Sequence, residues 1–170
     1  MNVPKELLAG RVAAKLGDNI DTDVIYPGRY LNITDREQTA EHLFELAYPE
    51  IRGRLRPGDF IVAGKNFGCG SSREQAAAAV KFAGAGAVIA ASFARIFYRN
   101  AINLGLPVIV SPDASAALNE GDDLAVDLTA GRIRNLTTGA EVRAAPLDEK
   151  AVELLRAGGL VPYLKKKYAA

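Results

Sequence analysis

The sequence predicts an α/β fold, with a mostly parallel central sheet, flanking helices and a β-rich C-terminal part. Two patterns predict it. From Phe60 to Val110, short apolar runs alternate with helical stretches as strand, helix, strand, helix, strand. That order belongs to a parallel sheet covered by helices. Beyond Pro112 the character changes to short strands separated by Thr129-Ala130-Gly131 and Thr137-Thr138-Gly139 turns.

Each element follows in order. Val12 to Leu16 reads as a short strand after Gly10, and Gly17 to Asp23 as a loop. Pro27 and Gly28 keep the chain irregular. Thr34 with Glu37 forms a capping box, predicting a helix with Leu43, Leu46 and Ala47 on one face that ends before Pro49. A turn at Arg56 to Asp59 leads into a strand at Phe60 to Ala63 and a glycine-rich loop at Gly64 to Gly70. An alanine-rich helix is expected from about Ser72 to Phe82, stopped by Gly84 and Gly86. Ala87 to Ala91 is a buried strand, Ser92 the cap of a helix closed by Gly105, and Pro107 to Val110 a further strand. Leu124 to Leu128, Ile133 to Leu136 and Glu141 to Arg143 are short strands, and Asp148 to Ala157 a last amphipathic helix stopped by Gly158-Gly159. With no repeat, low-complexity segment or linker, residues 1–170 are expected to form one domain.

Composition narrows the function. Apolar residues make up 49% of the chain and charged residues 24%, values of a globular protein able to bury a sizeable core. A formal net charge of +1 carries no nucleic-acid footprint. The one like-charge run, Lys165-Lys166-Lys167, suits a solvated helix C-terminus. No apolar stretch reaches the length of a membrane span, and the N-terminus lacks a signal-peptide pattern, so a cytoplasmic location is expected. One cysteine, Cys69, excludes a disulfide within the chain, and one thiol does not make an iron–sulfur site.

The segment Gly64-Lys65-Asn66-Phe67-Gly68-Cys69-Gly70-Ser71-Ser72-Arg73-Glu74-Gln75 is the richest in chemistry. It joins a strand to a helix. Glycines allow close backbone approach to a ligand, and a helix start offers free N–H groups and a positive dipole end. Ser71 and Ser72 add hydroxyls, and Arg73 a fork suited to a carboxylate or phosphate. The segment lacks the Gly-Lys-Ser/Thr of a phosphate-binding Walker loop and the third glycine of a dinucleotide fingerprint. Neither serine has the glycine of a nucleophile elbow. Two readings stay open on the residues alone. One is a carboxylate-binding loop. The other is a capping box, Ser71 with Glu74 or Ser72 with Gln75, that needs no ligand.

The run Asn66 to Glu74 closely resembles the signature of the small subunits of 3-isopropylmalate dehydratase and homoaconitase. These correspond to the C-terminal swivelling domain of aconitase. Gly17-Asp18-Asn19-Ile20-Asp21-Thr22-Asp23-Val24-Ile25-Tyr26-Pro27 is similar to the family's N-terminal motif, and the run Ser92 to Pro107 to its third. The motifs occur in the family's order and cover most of residues 10 to 110. Gln75 matches the compact archaeal-type form rather than the longer bacterial one.

The resemblance implies a swivelling-domain fold of β/β/α type and a hydro-lyase subunit that is inactive alone. It implies a large partner subunit carrying a [4Fe–4S] cluster, with no cofactor on this chain, and a hydroxy di- or tricarboxylate substrate. Ser71 would be the catalytic base, with Ser72, Arg73 and Asp23 binding substrate. Cys69 and His42 are read as structural. The loop Gly28 to Thr34 would meet the substrate's variable group through Tyr30, Leu31 and Asn32. Related homoaconitase loops tend to carry an arginine where Asn32 stands. That residue and the apolar Leu31 and Ile33 favour isopropylmalate, with Arg29 and Arg36 as the cations that could alter the choice. The alternatives are a homoaconitase small subunit and, in another class, a non-catalytic carboxylate-binding or regulatory module.

Overall fold

The computed structural model describes residues 6–169. Seven strands form one sheet in the order β4-β3-β2-β1-β5-β6-β7. The strands are β1 (Leu7–Lys15), β2 (Phe60–Ala63), β3 (Ala87–Ala90), β4 (Val108–Val110), β5 (Asp123–Asp127), β6 (Arg132–Asn135) and β7 (Glu141–Arg143). The first four pair in parallel, with Val12 beside Phe60, Val62 beside Ile89 and Ile89 beside Ile109. The last three add in antiparallel fashion on the other edge of β1. All of β2 and β3 is buried, which explains their unbroken apolar runs. In β6 and β7 exposed and buried residues alternate, as in strands with one wet face.

The helices in chain order are α1 (Thr22–Ile25), α2 (Arg36–Glu41), α3 (Pro49–Arg54), α4 (Glu74–Phe82), α5 (Arg95–Leu104), α6 (Ala114–Ala117), α7 (Glu149–Ala157) and α8 (Leu160–Tyr168). α4 buries Ala76, Ala77, Ala79 and Val80 and lies against α2 and α5, and its small side chains permit that close stacking. Gly105 ends α5 in the left-handed region at φ +80, the conformation glycine adopts most readily.

Several expectations are corrected. Asp35, not Thr34, caps α2, accepting from the Gln38 amide at 2.9 Å. The helix stops at Glu41 instead of running towards Pro49. Phe44 takes φ +54 and donates its amide to the Ile25 carbonyl at 2.9 Å, so a contact with α1 replaces the next helical turn. Leu43 is buried as expected, but Leu46 is 61% exposed. α4 begins at Glu74 rather than Ser72, and Ala94 rather than Ser92 precedes α5. The segment after Pro27 forms a short 3-10 turn at Gly28–Tyr30. Gly158-Gly159 does stop α7, but Gly159 also starts α8, whose start was not expected and whose last turn holds the three lysines, as read from the sequence.

Candidate active site

The three motifs meet because parallel strands send their C-terminal ends the same way. The loops after β1, β2 and β3 are the segments Leu16–Asp21, Gly64–Arg73 and Ala91–Ala94. They continue the strand order, with parallel bridges between Asp21 and Cys69 and between Phe67 and Phe93. Crevices at the C-terminal ends of such strands are where α/β sheets bind ligands.

Local chemistry locks the loops together. The Asp18 carboxylate accepts from the Lys65 amide at 2.7 Å. Gly68 donates its amide to the Ile20 carbonyl at 2.7 Å, and the Thr22 amide donates to Cys69 at 2.8 Å. The Ser92 hydroxyl, expected as a helix cap, instead accepts from the Asn66 amide at 2.8 Å. Beneath them Phe67 packs edge-on against Phe97 and Phe93, with ring centres 5.2 and 6.0 Å away. At Gly68, where φ is +82, a Cβ would lie 2.3 Å from the Phe97 ring. Only glycine lets the loop rest on α5 this closely.

The result is a cleft of about 210 Å³. One wall is Thr22, Gly70, Ser71, Ser72 and Arg73, and the other is the first turn of α5 from Ala94 to Phe97. Neither α4 nor α5 has a side-chain cap, whereas aspartates cap α1, α2 and α7. The start of α5 lines the cleft and α4 begins just after the lining residue Arg73, so uncapped backbone N–H groups lie at or next to it, which suits an anion. The capping boxes considered for Ser71 and Ser72 do not form. Among the described residues neither hydroxyl has a hydrogen-bond partner, and both side chains are exposed. Instead, the Ser71 carbonyl accepts from the Thr22 hydroxyl at 3.1 Å.

Asp23 and Arg73 are brought into direct contact. Arg73 Nη1 donates to Asp23 Oδ1 at 2.5 Å, and the same oxygen accepts from the Gly28 amide at 3.0 Å. The guanidinium, and secondarily that amide, hold the Asp23 carboxyl below its ordinary value. Gly28 lies against the pair: a Cβ there would come within 3.1 Å of the guanidinium, which would have to give by a few tenths of an ångström.

Tyr30, Leu31 and Asn32 do not line the cleft. The Tyr30 ring stacks on His42 at 3.5 Å, and its hydroxyl donates to Glu45 at 3.2 Å. His42 is thus a packing partner, as expected. Burial pushes the Glu45 carboxyl up, but the Tyr30 hydrogen bond, the nearby His42 ring and the Arg29 hydrogen bond outweigh it and leave it below its ordinary value. Leu31 and Asn32 are exposed, just after the turn that begins at Gly28 beside Arg73. Sequence reasoning missed Thr22, Arg95 and Ile96 as cleft residues. Their position inside the first and third motifs was the available signal. Among the described residues no three His, Cys, Asp or Glu side chains gather as a metal site, and no helix is long and apolar enough to cross a membrane.

The C-terminal crevice of this α/β sheet presents two serines, an arginine and the uncapped start of α5, a set of groups that suits an anion. Residues 20–113 match the family described as the aconitase C-terminal domain. The isopropylmalate/citramalate isomerase small subunit of Methanocaldococcus jannaschii is 53% identical, over 97% of this chain and 98% of that one. The 3-isopropylmalate dehydratase small subunit of Moorella thermoacetica is 55% identical over 89% and 91%. The methanogen homoaconitase small subunit of Methanothermobacter thermautotrophicus is 52% identical over 94% and 92%. A crystal structure of 3-isopropylmalate dehydratase from M. jannaschii superposes with a TM-score of 0.88 at 45% identity, covering 95% of each chain. The chain belongs to the aconitase family, in the group of its hydro-lyase small subunits.

Proposed function

We propose that this chain is the small subunit of a 3-isopropylmalate dehydratase, acting in the cytoplasm as one swivelling domain. It interconverts 2-isopropylmalate and 3-isopropylmalate, by dehydration and rehydration in leucine biosynthesis, only when joined to a large subunit. The observation that carries the reading is the pair of unpartnered hydroxyls, Ser71 and Ser72, beside Arg73 in a cleft with the uncapped starts of α4 and α5 at or next to it. The names borne by the relatives support the substrate class.

The reaction removes a proton from one carbon and a hydroxyl from its neighbour. Ser71, as its alkoxide, takes the proton. A serine ionises only if negative charge is stabilised around it, and the open amides and Arg73 supply that stabilisation. Ser72 and Arg73 bind substrate oxygens, and Asp23 fixes the Arg73 fork. Departure of the hydroxyl needs a Lewis acid. The residues of this chain do not fit a [4Fe–4S] cluster, since Cys69 is its sole thiol. The cluster is therefore assigned to the large subunit.

A second reading, homoaconitase, has its own support in a relative 52% identical that bears that name. Against it, both cations near the loop are engaged elsewhere. Arg29 pairs with Glu45 at 3.4 Å, and Arg36 lies over the Phe82 ring at 5.1 Å. An additional substrate carboxylate would find neither in place, and burying it unpaired is costly.

The test is reconstitution. The chain alone, treated with iron and sulfide, is expected to show neither a stoichiometric cluster spectrum nor turnover. Paired with its large subunit, it is expected to convert isopropylmalate faster than homoaconitate or citrate. Turnover by the lone chain would overturn the split-enzyme reading. A pair that binds carboxylates without turnover would mark a regulatory module.

A further inference from the structure

We propose that Arg95 is a substrate-carboxylate contact that sets affinity for the dianionic substrate, an inference that rests on the dehydratase reading above. Arg73 was the expected cation of the site, yet its charge already faces the Asp23 carboxylate at 2.5 Å. A substrate with two carboxylates brings two negative charges into a cleft where that pair is close to neutral. A further cation is needed at the same opening.

Arg95 meets the requirement. It is the first residue of α5 and lines the same cleft as Ser71, Ser72 and Arg73. It is exposed, and among the described residues it has no hydrogen bond, ion pair or ring contact. The fold does not favour a cation there. Positive charge at a helix start opposes the macrodipole, and the first turn of α5 carries no acidic residue to offset it. Arg99 lies one turn further on, also without a partner among the described residues, and like charges at that spacing repel. Among the described residues nothing repays this placement, whereas an anion in the cleft does. The fork geometry of a guanidinium further suits a carboxylate held from two sides.

The experiment uses the assembled two-subunit enzyme with isopropylmalate. Arg95→Gln is expected to raise KM about ten- to a hundredfold, the usual weight of a hydrogen bond to a charged group. kcat should stay within about threefold, because the residue binds substrate and does not move the proton. Arg95→Lys should fall between, keeping the charge and losing the fork. Arg99→Gln lies on the same helix outside this cleft and should leave KM within about twofold, as expected of a screened exposed charge. Size-exclusion chromatography and thermal melting should show normal assembly and stability for every variant. An unchanged KM in Arg95→Gln would overturn the proposal. Weakened subunit assembly would also do so, by assigning Arg95 to the partner interface. An equal rise in KM for Arg99→Gln would replace a contact with a diffuse field. A wild-type pair inactive on every hydroxy acid would instead bring down the functional reading, and the role of Arg95 with it.

Discussion

Asp23 Oδ1 and Arg73 Nη1 meet at 2.5 Å across 50 residues of sequence, joining the first motif to the second. The contact orients the guanidinium at the mouth of the cleft. It also ties the charge of Arg73 to the ionisation of one carboxylate.

A pH prediction follows from that pair. The folded Asp23 carboxyl lies below its ordinary value of 3.8, mainly through the Arg73 hydrogen bond. A depressed folded value means that the contribution to loop stability is present above the unfolded value and is lost as pH falls through the folded one. Side-chain carboxyl NMR should therefore place the Asp23 midpoint below 3.8 in the wild type. Arg73→Gln should move it upward. A wild-type midpoint at or above the ordinary value would contradict the pairing. Arg73→Lys should also lower turnover, because lysine cannot keep both a carboxylate contact and the fork.

Ser71→Ala should cut kcat of the assembled enzyme by about a hundred- to ten-thousandfold, the usual range for loss of a general base. Its melting temperature should stay within about 1 °C of wild type, as should that of Ser72→Ala. A lost helix cap of about 1 kcal/mol would lower it by roughly 2–4 °C in a chain of this size. Calorimetry alongside kinetics separates the roles. A melting drop with turnover retained would make Ser71 a cap after all.

Gly68→Ala should be costly. It needs a side chain at φ +82 and a Cβ 2.3 Å from the Phe97 ring. Overpacking alone costs about 1–3 kcal/mol, and the backbone strain adds to it. A fall of at least about 4 °C in melting temperature is expected, with loss of activity as the loop lifts off α5. Gly53→Ala, in α3 with nothing within 4 Å of the added Cβ, should be neutral or stabilising by about 0.5–1 kcal/mol. Equal behaviour of the two variants would remove the argument from close packing.

Asn32→Arg should shift the assembled enzyme towards homoaconitate. Residue 32 follows the turn that starts beside the Arg73 guanidinium, and a side chain of arginine length extends from there. Competition between isopropylmalate and homoaconitate reports the change directly. An unchanged ratio would mean that the large subunit chooses the substrate.

Local chemistry made much of this protein legible. The apolar runs at β2 and β3, bounded by glycines, could only be buried strands, and Gly105 ended α5 as expected. Family motifs, not spacing, named Ser71, Ser72, Arg73 and Asp23 together; the first three line the cleft, and Asp23 meets it only through Arg73. The break after Glu41 was not legible, because Phe44 gives up a helical turn to bond Ile25, 19 positions earlier. Nor was the start of α8, since a Gly-Gly pair reads as a stop, although the lysine run did mark its end. Gly159 instead sits where a Cβ would lie 2.6 Å from the Asn103 carbonyl, a close approach that lets the chain restart against α5.

The serines mark the boundary most clearly. From sequence, Ser71 and Ser72 could equally cap α4 or face a ligand, because both options use the same hydroxyls and the same nearby amides. In the fold α4 starts after Arg73 with no side-chain cap, and the Thr22 hydroxyl holds the Ser71 carbonyl from 49 residues away. That hydroxyl comes within reach only once β1 and β2 pair in parallel and lay their loops side by side. Residue order determined which groups the cleft could use, and strand order decided which of them were left free to act.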